Sequence, residues 1–178
     1  DAFIVSTSYE HYINALCDEL EFPFGNTYCT RLSLDKYGLS TRENTQLKEI
    51  ATEIAQMPMI TIPPNAKSLK DFSEPDRETI MQLDGIFWAK ISRMGAGIVF
   101  RMVKPIGGRQ KAESIEDAAK KSGAKLSDVL YVGDSITDVE AFKMVRENDG
   151  LTVSFNGNEY AIRNAEVAVQ SENNMVTA

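Results

Sequence analysis

The chain has 178 residues, 43% of them hydrophobic, which is enough for one good core with room for an insertion. Its 26 acidic and 19 basic side chains give a formal charge of −7, and this balance argues against a nucleic-acid partner because phosphate-backbone contacts need clustered cations. No run of residues approaches the roughly eighteen apolar positions of a membrane helix, so we expect no membrane partner either.

The chain contains two cysteines, Cys17 and Cys29. Two are too few for a disulfide framework, and we interpret them as buried thiols of a protein in the reducing cytoplasm. Because residue 1 is Asp rather than Met, we expect the translation start to lie upstream, so an upstream targeting segment remains open.

The first predicted strand covers residues 2–5 and leads into Ser6, Thr7 and Ser8. Hydroxyl groups and free amides at the end of a strand are suited to cradle a phosphate group. Taken alone, such residues are more typical of a turn or of an N-cap for the following helix, which we predict over residues 9–20.

The middle of the chain has a mainly helical pattern. Trp88 lies on the second of its helices, and it is predicted to be buried because aromatic residues at helical spacing usually belong to a core. The predicted elements of this part are an extended segment over 26–34, a helix over 41–57, a helix over 74–94 and a strand over 98–103.

Basic residues then precede a further predicted helix, over residues 112–121. Gly107 and Gly108 are followed by Arg109, and Lys111 opens the helix. A lysine ammonium in this place would neutralise phosphoryl oxygens and hold a nearby carboxylate ionised. The alternative for Lys111 is an ordinary solvated surface cation.

Two carboxylates four residues apart follow the next predicted strand, over residues 129–132. Gly133 permits a tight turn, Asp134 falls at the carboxyl end of the strand, and Asp138 falls on the first turn of the next helix. Hard oxygen donors in this place suit Mg²⁺ that carries a phosphate group. The alternative is that both residues only cap or decorate the start of the helix.

One predicted helix and one predicted strand separate Lys111 from Asp134. A right-handed β-α-β path returns the chain to the same edge of a parallel sheet, and ligands of open α/β sheets bind at the carboxyl ends of the strands. We therefore expect Lys111 and the two aspartates to converge, beside the hydroxyl of Ser6, on a single divalent cation and its anionic ligand.

Together, these segments resemble the haloacid dehalogenase superfamily of phosphatases and phosphotransferases. Ser6 matches its second motif, Lys111 its third, and residues 133–138 its fourth. The spacing from Lys111 to Asp134 is close to that of the phosphoserine phosphatase-like branch. The resemblance covers residues 1–20 and about 98–175.

The resemblance implies a Mg²⁺-dependent phosphatase acting on a small phosphorylated metabolite. The resemblance implies three groups of site residues. Ser6, Lys111 and Asp138 would take part in catalysis, and Asp134 and Asp138 would bind Mg²⁺. Thr7, Ser8 and Arg109 would bind the substrate. Asp138 is also expected to orient a metal-bound water or Lys111.

The implied fold is α/β, with a Rossmann-like parallel sheet and helices on both of its faces. Residues 1–40 and 95–178 would form this core, incomplete at its N-terminus, and residues 41–94 would form the mainly helical insertion. The insertion looks like a cap that selects the substrate. The alternative, to which we give equal weight, is a helical pair that forms an interface in a homodimer or a protein complex.

One departure from the superfamily is serious, because its enzymes carry an Asp-x-Asp motif before the second motif and the first of these aspartates attacks phosphorus. Asp1 follows no strand, and Asp84 comes in the wrong chain order. We therefore expect the nucleophile on an upstream segment or on another polypeptide.

The missing nucleophile keeps other functions open. One is a non-catalytic regulatory or assembly subunit with the same fold, as in archaeal members associated with hydrogenases, since fold does not dictate activity. A weaker alternative is a phosphoacceptor similar to response regulators, in which the lysine follows the acidic residues instead of preceding them.

Overall fold

A computed structural model describes residues 1–33, 38–64 and 66–177. They form two units, one made of residues 1–32 and 104–178 and the other of residues 33–103. The predicted extended segment over 26–34 ends at Leu34, which lies outside the described residues. Within the described ranges, no helix is both long and apolar enough to cross a membrane.

The first unit begins with two parallel strands joined by a helix. Strand β1 (Ile4–Tyr9) pairs with β2 (Thr27–Thr30), and helix α1 (Glu10–Glu19) connects them. Ser6, Thr7 and Ser8 lie within β1 rather than after it, because the extended backbone continues to Tyr9. Cys17 and Cys29 are free and buried, as predicted.

A second, three-stranded sheet forms the rest of this unit. Its strands are β3 (Leu130–Gly133), β4 (Leu151–Phe155) and β5 (Val167–Val169), and all neighbours are parallel. Helix α6 (Val139–Glu147) joins β3 to β4, and α7 (Glu159–Asn164) joins β4 to β5. Tyr131 on β3 packs into a core with Ile115, Phe142 and Val145.

Helix α5 (Arg109–Ser122) precedes β3 and packs against β1. It starts directly after Gly108, whose φ of +50° suits glycine, and it ends at Gly123, which has a left-handed conformation with φ +68°. These glycines fix the two ends of the helix, so Lys111 falls on its first turn.

The second unit is helical. Its helices are α2 (Thr41–Ala55), α3 (Glu74–Asp84) and α4 (Ile98–Met102), and a π-helical segment (Gly85–Lys90) continues α3 into 3₁₀ turns at Ile91–Arg93 and Gly95–Gly97. Ser40 and Glu43 cap α2 reciprocally, and Pro75 lies in the first turn of α3.

Two predictions for this unit are wrong. Residues 98–103 do not form a strand, because a short apolar run fits a helix as well as a strand and here forms α4. Trp88 is 65% exposed, since the core of the unit is built instead from Ile50, Ile86 and Ile91.

The α/β class and the parallel strands are therefore as predicted. The described strands form two sheets instead of one. Further 3₁₀ turns occur at Phe24–Asn26, Leu69–Asp71, Leu126–Asp128, Ile136–Asp138 and Asn174–Thr177.

Candidate functional site

A buried ion pair lies at the carboxyl end of β3. The Nζ atom of Lys111 donates to Oδ1 of Asp138 over 2.7 Å, and the two side chains are 8% and 2% exposed. The first turn of α5 carries the lysine, and the turn between β3 and α6 carries the aspartate. The sequence predicted this convergence of Lys111 and Asp138, and the geometry shows it.

Both carboxylate oxygens of Asp138 accept further hydrogen bonds. The hydroxyl of Tyr131 donates to Oδ1 over 2.6 Å. The hydroxyl of Ser135 donates to Oδ2 over 3.0 Å, as do the backbone amides of Ser135 (3.0 Å) and Asp134 (3.2 Å). With the lysine, five donors surround Asp138, so in this conformation its oxygens hold the turn and Lys111 in place.

The surroundings of Asp138 also set its charge. Burial alone would raise the pKa of this carboxyl. The net effect is a lowered pKa, because the hydrogen bonds from Lys111 and Tyr131, the positive charge of Lys111 and the amide of Ser135 together outweigh the effect of burial. Burial and the hydrogen bond to Asp138 raise the pKa of Tyr131. Asp138 is therefore an anion and Tyr131 a neutral donor at neutral pH.

Gly133 makes this packing possible. A Cβ atom at Gly133 would lie 2.6 Å from Cγ and 2.8 Å from Cβ of Asp138. No real side chain tolerates such distances, so glycine is needed here for close approach.

Asp134 differs from Asp138 in that it is exposed. Its carboxylate has no hydrogen-bond or ion-pair partner within the part of the chain that the structure describes, while its backbone carbonyl accepts from the amide of Asn158 over 2.9 Å. Its backbone is thus fixed at the end of β3, and its carboxylate is available to a ligand.

The predicted phosphate-binding residues lie near the end of β1. The Oγ atom of Ser6 accepts from the amide of Ser8 over 3.1 Å, and Thr7 is exposed. In the described residues, no hydrogen bond joins Ser6, Thr7 or Ser8 to the Lys111–Asp138 pair.

A short segment links the two sheets instead. The hydroxyl of Thr30, at the end of β2, donates to the carbonyl of Thr7 over 2.7 Å and accepts from the amide of Ile106 over 3.1 Å. Two residues further, the amide of Gly108 donates to the carbonyl of Thr137 over 3.0 Å. Residues 106–108 thus tie the ends of β1 and β2 to the turn that contains Asp138.

Arg109 is turned to other partners. Its Nε atom donates to Glu113 over 2.9 Å on the same helix, and its side chain is 85% exposed. Exposed pairs of this kind are weak, so a substrate could still recruit the guanidinium group.

The carboxylate of Asp134 has the donor chemistry that a magnesium ion would use. Proteins commonly hold Mg²⁺ by one or two carboxylates, with phosphate and water oxygens completing the octahedron. Asp134 fits this chemistry as a free carboxylate at a strand end. Across the described ranges, no cluster of three or more His, Cys, Asp or Glu side chains is placed to hold a metal ion, so a complete set of ligands would need oxygens from the substrate, from water or from another segment.

Sequence analysis assigned no role to four residues of this region. Tyr131 and Ser135 bind Asp138, and Thr30 links the strand ends. Ser154, opposite Gly133 in the sheet, is fully buried, and its hydroxyl has no partner within the described ranges. A polar residue in an apolar strand is the signal for Tyr131, Thr30 and Ser154, since buried hydroxyls need partners.

No family model matches the sequence, and no curated protein matches it. Among solved structures, the gene product AF1437 from Archaeoglobus fulgidus is similar with a TM-score of 0.69 and 24% identity, over 93% of this chain and 45% of that chain. A phosphoserine phosphatase in its apo form has a TM-score of 0.48 and 17% identity, over 95% of this chain and 52% of that chain. The first likeness supports the α/β fold alone. The chain spans about half the length of each of these two proteins.

Proposed function

We propose that this chain is part of a Mg²⁺-dependent phosphatase of the haloacid dehalogenase type, acting in the cytoplasm on a small phosphorylated metabolite. The observation that carries the proposal is the buried Lys111–Asp138 pair, which lies at the carboxyl end of β3 beside the free carboxylate of Asp134. Burying two charged groups costs free energy, which suggests that the pair has a role beyond stability. The carboxyl ends of strands are also where α/β proteins bind their ligands.

Lys111 is the group that would stabilise the phosphoryl oxygens. An ammonium group has three donors, and Asp138 takes one of them. The other two have no partner in the described part of the chain, so they are available to a phosphoryl group. Asp138 acts as a positioning residue, because its hydrogen bond with Lys111 fixes the direction of the ammonium group.

Ser6 and its neighbours would bind the remaining phosphoryl oxygens. The Oγ atom of Ser6 accepts from the amide of Ser8, so its own proton is free to be donated. Thr7 and Ser8 would add their hydroxyl groups, and Arg109 would exchange its weak pair with Glu113 for the substrate.

Asp134 would hold Mg²⁺. When bound, the cation supplies positive charge that offsets the charge of the phosphoryl group. The carboxylate of an aspartate outside these residues would attack phosphorus as the ester oxygen leaves as an alcohol, with its proton supplied by the second aspartate of the same motif. Water would then hydrolyse the aspartyl-phosphate to inorganic phosphate and restore the carboxylate. The chain's own residues contribute positioning and positive charge, which a loose phosphoryl-transfer transition state requires.

The test is phosphate release by the complete polypeptide over a panel of phosphate monoesters, with and without Mg²⁺. Asp134→Asn and Lys111→Arg should abolish Mg²⁺-dependent release. Asp128→Asn and Lys121→Arg are matched controls. Asp128 is an aspartate just before β3, and Lys121 is an exposed lysine on α5, the helix that carries Lys111. Full activity in both site variants would remove these residues from the mechanism.

A second candidate is a non-catalytic regulatory or assembly subunit. It is favoured by the exposed aromatic residues of the second unit, where Trp88 is 65% and Phe100 41% exposed and their ring centroids lie 5.3 Å apart. In this case the Lys111–Asp138 pair would only stabilise the fold, and the second unit would bind a partner protein rather than select a substrate. The upstream coding sequence discriminates, because an apolar strand that ends in Asp-x-Asp is needed by the phosphatase alone.

A further inference from the structure

An open cavity of the first unit lies at the end of strand β1. It has a volume of about 470 Å³ and is lined by Thr7, Ser8, Tyr9, Tyr12, Thr30 and Pro105. All six residues belong to the first unit. We call this space the tyrosine cavity, and its volume falls within the range of about 300–1,000 Å³ that is typical of small-molecule sites.

Two tyrosine side chains in this cavity are without partners. Tyr9 and Tyr12 are 52% and 63% exposed, and within the described ranges neither side chain makes a hydrogen bond or a ring contact. By contrast, the hydroxyls of Tyr28 and Tyr131 each donate to an aspartate. Aromatic side chains that are left together in water are a sign of an interaction surface.

Free polar groups lie beside these rings. The hydroxyls of Thr7 and Ser8 have no hydrogen-bond partner in the part of the chain that the structure describes. The hydroxyl of Thr30 is already used, because it donates to the carbonyl of Thr7 and accepts from the amide of Ile106. A ligand in the tyrosine cavity would therefore find two free hydroxyl groups next to two free aromatic rings, on a backbone that Thr30 holds in place.

The acidic residue between the two tyrosines is engaged elsewhere. The carboxylate of Glu10 accepts from Arg31 over 3.2 Å and from the amide of Leu32 over 2.8 Å. The guanidinium group of Arg31 offsets its charge, so Glu10 repels an anionic ligand less than a free carboxylate would.

We propose that the tyrosine cavity binds the organic part of the substrate, and that the preferred substrates are phosphate monoesters whose alcohol carries an aromatic ring. This inference rests on the proposed function, in which Thr7 and Ser8 bind the phosphoryl group. An extended backbone advances about 3.3 Å per residue, so Tyr9 follows Thr7 by roughly 7 Å, which one small molecule can span. Tyr9 and Tyr12 are three residues apart at the start of α1 and are therefore neighbours on its surface.

The lining of the cavity favours an uncharged aromatic ring. Aromatic pairs that stack with an offset or meet edge to face are more stable than the buried area alone explains. Pro105 adds an apolar ring to the lining, and none of the described residues that line the cavity is charged. A second charged group on the organic part of the substrate would thus have no counter-ion there.

Titration calorimetry on the complete polypeptide with Mg²⁺ tests this preference. The ligands are phenethylphosphonate and cyclohexylethylphosphonate, which differ only in whether the ring is aromatic and which have no ester oxygen that could leave. Burial of apolar area alone predicts that the saturated ring binds equally well or more tightly. Stacking on the tyrosines predicts that phenethylphosphonate binds about two- to tenfold more tightly.

Substitutions show whether the tyrosines cause the preference. Tyr9→Ala and Tyr12→Ala should each reduce the ratio of the two affinities towards one. Tyr12→Phe should keep the ratio, because the ring and not the hydroxyl contacts the ligand. Tyr160→Ala is the matched control and should also keep it, since Tyr160 is 44% exposed at the start of α7 and is not part of the cavity lining.

Equal affinities for the two phosphonates, or an unchanged ratio in both alanine variants, would overturn the inference. Inorganic phosphate, titrated in the same way, separates this result from a failure of the proposed function. Binding of inorganic phosphate and of both phosphonates without a preference would leave the phosphate site in place and remove the tyrosine cavity from recognition. If neither inorganic phosphate nor either phosphonate binds, the proposed function fails, and the inference fails with it.

Discussion

Lys111 and Asp138 come from different elements and form a buried ion pair 2.7 Å long. Taking two charges out of water costs several kcal/mol per ion, and such a pair is kept only where further hydrogen bonds satisfy it. Tyr131 and Ser135 provide these bonds to the aspartate. The partly satisfied member is the lysine, and under the proposed function its remaining donors would bind an anion.

Breaking the pair should destabilise the fold. Lys111→Met leaves the buried charge of Asp138 without its counter-ion, and we expect a loss of about 3–5 kcal/mol in the free energy of unfolding. Urea unfolding measures this loss. In a double-mutant cycle with Asp138→Asn, the double variant should lose less than the sum of the single losses, because neither group is then left alone.

Lys121 is the matched control for this prediction. It pairs with Asp117 over 3.2 Å on the same helix, but both side chains are about half exposed, at 51% and 54%. Lys121→Met should therefore change stability far less than Lys111→Met. Equal losses in the two variants would mean that the buried pair has no special role.

Stability should depend on pH through Asp138. Its folded pKa is lowered, with burial opposing and the bonds from Lys111 and Tyr131 dominating. The contribution of a group with a lowered pKa is complete above its unfolded value of about 3.9 and is lost as the pH falls through the folded value. The difference in unfolding free energy between the wild type and Asp138→Asn should thus be constant near neutral pH and shrink below about pH 4. A difference that is the same at every pH would contradict this assignment.

Tyr131 should stabilise the ionised form of Asp138. Tyr131→Phe removes a buried hydrogen bond to a charged group, which costs about 1.5–3 kcal/mol. It should also start the acid-induced loss of stability at a higher pH, because one of the interactions that lower the pKa of Asp138 is gone. Urea unfolding at several pH values measures both effects. Tyr160→Phe is the control, since Tyr160 is 44% exposed and its hydroxyl has no partner within the described residues.

Much of the first unit could be predicted from the sequence because its signals are local. The apolar strand before Gly133 and the glycines around α5 mark the ends of elements, and a right-handed β-α-β path brings Lys111 to Asp138. The prediction of a strand over residues 98–103 was wrong because an apolar run of that length has no periodicity that distinguishes a helix from a strand.

The hydrogen bonding of Asp138 could not be predicted from the sequence, for a different reason. Whether a carboxylate binds a cation or is enclosed by donors depends on the direction of a few hydrogen bonds. Tyr131 reaches Asp138 only because the side chain on β3 and the turn after it lie on the same side of the sheet. The division of the strands into two sheets also depends on the whole fold and leaves no mark in any one segment.

Gly133 should tolerate no side chain. The Cβ atom of Gly133→Ala would lie 2.6 Å from Cγ of Asp138, so the ion pair must shift, at a cost of about 1–3 kcal/mol for overpacking. The midpoint temperature of thermal unfolding and the rate of phosphate release should both be lower than in the wild type. Gly85→Ala is the control, because a Cβ atom there meets nothing within 4 Å and its φ of −60° is helical. That variant should be as stable as the wild type or gain about 0.4–1 kcal/mol.

Ser154 should be dispensable for stability although it is fully buried. Its hydroxyl has no partner in the described part of the chain, so it bears the cost of leaving water without the gain of a hydrogen bond. Ser154→Ala should therefore be neutral or stabilising in urea unfolding. Thr30→Val is the contrasting variant, because it removes the bonds to Thr7 and Ile106 and should cost about 1–3 kcal/mol. A clear loss in Ser154→Ala would show that this hydroxyl has a partner in solution, at a point of β4 directly opposite the glycine that precedes Asp134.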